Sequence, residues 1–424
     1  MAATGSLEPT AEASEPGDGS RPPATGSGGQ TAESAESNTP EGQDTMDQTP
    51  IVGANLNGRP HRVDDALGLI DASGTTWVRA FLDVRKKLES GVDPREDPDV
   101  LALRRVAREK DCKLIVSLKW DFKANWGDKE PIVVPAPGSP LERDLFRHAT
   151  RCLEAIGDGV EVVVLGNEPM WETLDRDVKV RDPPIVAFTR RAKDYLVEHG
   201  DHGDPTYLVG AFNRSDDEHV REQEFRHFYR GMADFVREDD DVDGVDLHLH
   251  FDALEQAEAM VAGARELFPD EVIVATEFSP VWRYDRYVDR PIGESAAGER
   301  FAREHDLSPE TTAIEYFEQA KRDPVSPSEL ADFYEAMPWY NVHHVADMYD
   351  LFDAYDVRLG TFGFLAGEGM RNEDWSDGWS PFHINSLYQP ALISAEAGIG
   401  GTANRPYLED YRERTGRGGP SGSG

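Results

Sequence analysis

Cysteine is nearly missing. The chain has two, Cys112 and Cys152, and neither falls in a C-x-x-C or other ligand-like spacing, so no disulfide framework or zinc knuckle is indicated. Lysine is scarce too, at ten residues in 424, and acidic side chains outnumber basic ones by 81 to 44, for a formal net charge of -37. A field of that sign repels polyanions, so neither nucleic acid nor an anionic membrane surface is an expected partner. No stretch approaches the roughly 18 consecutive apolar residues that a membrane-spanning helix needs. The first residues lack both a basic region and an apolar run, so no secretory leader is visible. A cytoplasmic location is therefore expected, with an extracellular one as the alternative.

The carboxylates run through nearly every segment rather than forming one tail. Such a surface stays hydrated in brine, where a Debye length near 3 Å at about 1 M salt removes most of the self-repulsion. Residues 1–48 are a Gly, Ser, Thr, Pro, Glu and Ala mixture without aromatics, which cannot bury enough to offset its ordering entropy and is expected to be disordered. Residues 49–412 are read as one domain, and 413–424 as a flexible tail. Nothing in the chain fixes an oligomeric state.

Within that domain, short apolar runs alternate with amphipathic segments. Eight candidate strands cover residues 51–57, 75–83, 113–120, 161–169, 206–213, 244–252, 272–280 and 359–368. Helical patterns fall between most of them, over 62–71, 98–110, 141–156, 185–199, 222–237 and 254–268. Strand–helix alternation implies parallel strands with crossover helices, and eight repeats close a (β/α)8 TIM barrel. A doubly wound open sheet is the competitor, but Gly53-Ala-Asn-Leu-Asn-Gly58 is not the Gly-rich phosphate loop it would offer after its first strand. The segment 281–358, between strands seven and eight, is far longer than an ordinary connection and reads as a small helical cap over the rim.

Polar residues gather where these strands finish, and in such barrels the functional groups sit at that rim. The ends carry Asn55 and Asn57, Arg79 and Asp83, Lys119 and Trp120, Asn167 and Glu168, Asn213, His248 and His250, Glu277, and Glu368. Two of them, Glu168 and Glu277, close apolar runs. A facing carboxyl pair is the equipment for cleaving a glycosidic bond. On the sixth strand Asp246, His248 and His250 share one face, which is expected to look into the barrel while Val245, Leu247, Leu249 and Phe251 pack against helices. The H-x-H pair is also a metal-ligand spacing, so a metal-dependent hydrolase is an alternative; no cofactor or metal is otherwise indicated. His343 and His344 are adjacent, cannot share a strand face, and are expected on a helical or loop surface.

Tryptophan supplies a second line. Of eight, Trp120, Trp126, Trp171, Trp282, Trp375 and Trp379 stand at or just beyond strand ends, while Trp77 lies in a strand and Trp339 in the long insertion. Flat rings pack on the C–H faces of sugars while polar rim groups take the hydroxyls, so the substrate-binding candidates are Asn55, Arg79, Asn167, Asn213, His248, His250, Trp120, Trp171, Trp282 and Trp375. A non-catalytic carbohydrate-binding barrel would keep the same aromatic rim.

Gly166-Asn167-Glu168-Pro169 on strand four and Thr276-Glu277-Phe278 on strand seven resemble the paired motifs of clan A glycoside hydrolases, over roughly residues 51–390. The resemblance implies that Glu168 is the general acid/base, that Asn167 contacts the sugar 2-hydroxyl and that Glu277 is the nucleophile. Thr76-Trp77-Val78-Arg79 resembles the clan's strand-two segment, whose Arg steadies the nucleophile, and His250 takes the place of a clan His or Tyr beside it. No aromatic ends strand eight itself, so Trp375 or Trp379 would have to reach back. Families 5 and 39 look nearest. The implied activity is retaining hydrolysis of a β-linked oligo- or polysaccharide, with carboxyl groups ~5–5.5 Å apart, Glu277 kept ionised by Arg79, and the pKa of Glu168 raised by the charge of Glu277.

Overall fold

A computed structural model describes residues 49–58, 60–124, 130–365, 384–389 and 402–416. The expected N-terminal tail, 1–48, and residues 417–424 of the expected C-terminal tail lie outside the described residues, as do Trp126, Glu368, Trp375 and Trp379.

The eight apolar runs all become strands: β1 Ile51–Asn55, β2 Trp77–Asp83, β3 Lys113–Lys119, β4 Val160–Val164, β5 Thr206–Phe212, β6 Gly244–His250, β7 Val272–Ser279 and β8 Val357–Gly363. Each pairs in parallel with its neighbour, and β8 returns to β1 to close the barrel. Helices cross between them. Pro98–Lys110 begins on Asp97, whose carboxylate accepts the free N–H groups of Asp99 and Val100, and Pro140–Ile156 begins likewise on Ser139. In both, proline occupies the first turn, where its missing N–H costs nothing.

Alternation along the strands sorts the barrel interior into layers. Ile115, Val162, Val164, Leu208, Val274 and Leu359 form an apolar floor, with Ile51 and Trp77 packed on it. Two residues further along, the same inward face carries Arg79, Ser117, Thr276 and Thr361, all buried. Polar chemistry thus starts one layer above the apolar plug, on the side where the strands end.

The insertion between β7 and β8 folds into helices over Val281–Tyr287, Ala296–Glu304, Ala313–Arg322, Pro327–Ala336 and His344–Ala354. Thr312 and Glu315 form a reciprocal capping box at the third of these. Its rings Phe301, Tyr316, Phe317 and Phe333 pack on one another, and Tyr284 and Tyr340 continue the stack to Tyr407 of the C-terminal helix Arg405–Arg414. That helix runs two residues past the expected domain end. The His pair divides: His343 is exposed, while His344 is buried among Phe251, Phe278 and Phe362, a correction to the surface expectation for it. Its place at the start of a crossover helix turns it onto the strands. Among the described residues no helix is long and apolar enough to cross a membrane.

Candidate active site

Past the end of β4 the chain stays extended, with Leu165 N–H donating to Leu208 carbonyl at 2.8 Å and Ala211 N–H to Asn167 carbonyl at 2.7 Å. Gly166 is needed there, because a Cβ would run into the Gly210 carbonyl of β5. The chain then turns through a single helical turn, Pro169–Glu172, where the N–H groups of Trp171 and Glu172 both donate to Glu168 carbonyl. This turn brings Glu172 back under Asn167.

Glu277 reaches the interior by a different device. Strict alternation after Val274 would turn Thr276 inward and Glu277 outward. The β6–β7 register instead slips by one residue, so that Leu247 pairs with Ala275 and His248 with Glu277. The bulge lets consecutive side chains face the barrel: Thr276 donates to Asp246 at 2.7 Å, and Glu277 meets Arg79. Phe278 is turned to the helical layer, against Phe352 and Phe362.

Arg79 is the hub. Fully buried, it donates from Nε to Ser117 at 3.1 Å, from Nη1 to Glu277 Oε1 at 2.5 Å and Asn55 at 3.3 Å, and from Nη2 to Asn167 Oδ1 at 2.7 Å. Its Nη2 also stands 3.3 Å from His248 Nε2. A planar fork of donors is suited to such a junction.

His248 bridges the carboxylates. Its Nδ1 lies 3.1 Å from Glu168 Oε1 and 3.6 Å from Glu277 Oε2, and its Nε2 is 3.7 Å from Asp246 Oδ2. His250 Nε2 lies 3.6 Å from Glu277 and 4.0 Å from Glu168. Asn213 donates to Glu168 Oε1 at 2.9 Å.

These distances set the charges. Burial alone would raise Glu277, but the charges of His248 and Arg79 hold it well below the usual carboxylate range. Burial would lower His248, but Glu277, Glu168 and Asp246 around it raise it above its ordinary value. Glu168 departs from expectation. Burial and Glu277 push it up, yet the hydrogen bond and charge of His248 outweigh them and leave it below its ordinary value. The pair thus shifts in opposite directions, the carboxyl down and the imidazole up.

The structure therefore brings together Glu168, Glu277, Asn167, Arg79, His248, His250, Asn55 and Asn213 in one mouth. The tryptophans fare differently. Trp120 is buried outside the barrel, its Nε1 donating to Leu165 carbonyl at 3.0 Å and its ring edge-on to Phe188, so it cannot stack a sugar; the expectation for it is corrected. A residue just past the end of a strand still alternates, and this one alternates outward. Trp171 and Trp282 are exposed, the first edge-on to Phe225 and the second beneath the Arg214 guanidinium. Residues that strand-end reasoning missed are Glu172, which pairs with Lys119 at 2.8 Å and accepts from Asn167 at 2.9 Å, and Ser279, Thr361 and Asn385 beside Glu277. Only a helical spacing from Glu168 could have flagged Glu172.

Ligand atoms of Glu168, His248 and His250 lie within 4.8 Å of one another, a spacing that a divalent cation could span.

Among solved structures, the chain is similar to native xylanase 10B from Thermotoga maritima, at 10% identity over 87% of this chain and 95% of that one, with a TM-score of 0.45. It is also similar to fungal β-1,4-galactanases, at 11% identity over 83% and 98%, TM-score 0.49, and to xylanase 10B from Thermotoga petrophila in complex with xylobiose, at 11% over 87% and 94%, TM-score 0.47. At these values the likeness concerns the barrel and assigns no residue. No protein-family model and no curated protein matches the chain.

Proposed function

We propose that the chain is a retaining glycoside hydrolase of the clan A type, acting on β-linked oligo- or polysaccharides. One observation carries the reading: Glu168 Oε1 and Glu277 Oε2 lie 3.1 and 3.6 Å from the same atom, His248 Nδ1. The two carboxylates thus converge on one imidazole nitrogen, as a pair that works on a single glycosidic bond must.

In this reading Glu277, kept ionised by Arg79, attacks the anomeric carbon while the departing oxygen takes a proton from Glu168. The His248 imidazolium, hydrogen-bonded to Glu168, holds that proton until the leaving group needs it. Water then cleaves the glycosyl ester with Glu168 as base, retaining configuration. Asn167 keeps one amide N–H for the sugar 2-hydroxyl, the other being bound to Glu172.

A second reading, a metal-dependent hydrolase, rests on the spacing of Glu168, His248 and His250. Against it stands the Arg79 guanidinium, a fixed positive charge 3.3 Å from His248 Nε2. A 2-deoxy-2-fluoro aryl glycoside separates the two. The glycosidase reading expects covalent label on Glu277, turnover that survives EDTA, and loss of both label and turnover in Glu277→Gln. EDTA-sensitive turnover that persists in Glu277→Gln would establish the metal reading, and sugar binding without turnover a non-catalytic barrel.

A further inference from the structure

Beside Glu277 the barrel mouth has a recess of about 30 Å³ lined by Asn55, Asn57, Ser279, Thr361, Gly363 and Asn385. Water-sized volume on this scale is ~10–15 Å³ per molecule, so the recess takes roughly two non-hydrogen atoms. Two residues of its wall, Ser279 and Asn385, which are 2% and 7% exposed, each hold a buried polar atom with no partner among the described residues, Oγ of the first and Oδ1 of the second. Buried polar atoms without partners are costly, and a site that leaves two together is built to be completed by a ligand. Asn385 Oδ1 only accepts, while a serine hydroxyl donates or accepts. One alcohol group, donating to the first and accepting from the second, satisfies both.

The position of the recess says which part of a sugar brings that alcohol. Glu277 must lie under the anomeric carbon, whose ring neighbours are C2 on one side and the ring oxygen, leading to C5, on the other. Asn167, placed to meet the 2-hydroxyl, stands past the end of β4; the recess is walled by β7, β8 and the loop after β1, and β8 lies across the closed barrel from β4. With C2 turned towards β4, the C5 side faces the recess. A two-atom arm ending in a hydroxyl is the hydroxymethyl group of a hexopyranoside, which a pentopyranoside lacks.

We propose that Ser279 and Asn385 form a hydroxymethyl-binding recess that makes the enzyme select β-hexopyranosides over β-pentopyranosides. This inference rests on the glycosidase reading.

The test compares kcat/KM for 4-nitrophenyl β-glucoside and β-galactoside with that for the β-xyloside, in the full-length protein and in Asn385→Ala and Ser279→Ala. The wild-type chain is expected to prefer at least one hexoside, and each substitution to lower that preference about tenfold, the scale of one lost hydrogen bond. Melting temperatures, with the xyloside rate as internal reference, separate this from misfolding. Equal losses on hexoside and pentoside, or a wild-type preference for xyloside, overturn the inference and leave the glycosidase standing. Absence of turnover and of fluorosugar label on every sugar would remove the parent reading instead.

Discussion

The carboxylate of Glu172 accepts a hydrogen bond from the side-chain amide of Asn167 at 2.9 Å, and the same oxygen takes Lys119 Nζ at 2.8 Å. Because that oxygen can only accept, it captures the NH2 end of the amide and leaves Oδ1 facing Arg79 at 2.7 Å. A buried ion pair thus decides which way Asn167 points, and through Arg79 the setting reaches Glu277.

Glu172→Gln removes that constraint and leaves Lys119 buried without its counter-charge. The expected outcome is a fall in kcat of about tenfold or more on ordinary aryl glycosides, with little change on 2-deoxy analogues, which do not use Asn167. Steady-state kinetics on the two substrate series check it; equal losses on both would make Glu172 purely structural.

Glu168→Ala should lose most on substrates with poor leaving groups and least on activated ones such as dinitrophenyl glycosides, because only the former need a proton. Azide should restore part of the rate by standing in for the second-step nucleophile. A loss that does not depend on leaving-group pKa would remove the acid role.

His344 sets a pH dependence away from the site. Burial lowers its pKa from 6.5 to about 3, so between those values the unfolded chain binds a proton that the native one does not. Stability from this residue is whole above pH 6.5 and falls with acidification, by about 1.4 kcal/mol per pH unit, until pH approaches 3. His344→Phe, surrounded by Phe251, Phe278 and Phe362, should flatten that acid slope in urea titrations at pH 4 to 7. An unchanged slope would mean that the imidazole is already solvated or charged.

The excess of 81 acidic over 44 basic side chains should make folding salt-dependent. Raising NaCl from ~0.1 to ~1 M shortens the Debye length from about 10 to 3 Å, so the melting temperature should climb by several degrees. A flat or falling curve would show that ion pairs, which salt weakens, matter more than repulsion.

All eight strands were legible in the sequence because each is a short apolar run bounded by polar residues, and the inward face of β6 followed from simple alternation. Glu168 and Asn167 were legible because the apolar run of β4 is followed directly by Gly-Asn-Glu-Pro. Trp120 was misplaced because nearness to a strand end does not say which side of the sheet a residue takes; the alternation of β3, carried one residue further, does. The direction in which the pKa of Glu168 moves was missed for a related reason: it depends on His248, brought to 3.1 Å by a strand far along the chain. Asn385 lies after a stretch with no strand pattern, so nothing local marked it as a wall of the mouth.

The slipped pairing in β7 makes counting as important as chemistry. Removing Thr276 would restore an unbroken pleat with the acid still turned inward but one residue lower, off the level at which it pairs with His248, while the same residues paired without the slip would swing the ring of Phe278 into the opening and bury the acid among greasy side chains behind the sheet. Length there should be intolerant of change even where individual side chains are not, and a deletion scan would see what a substitution scan overlooks.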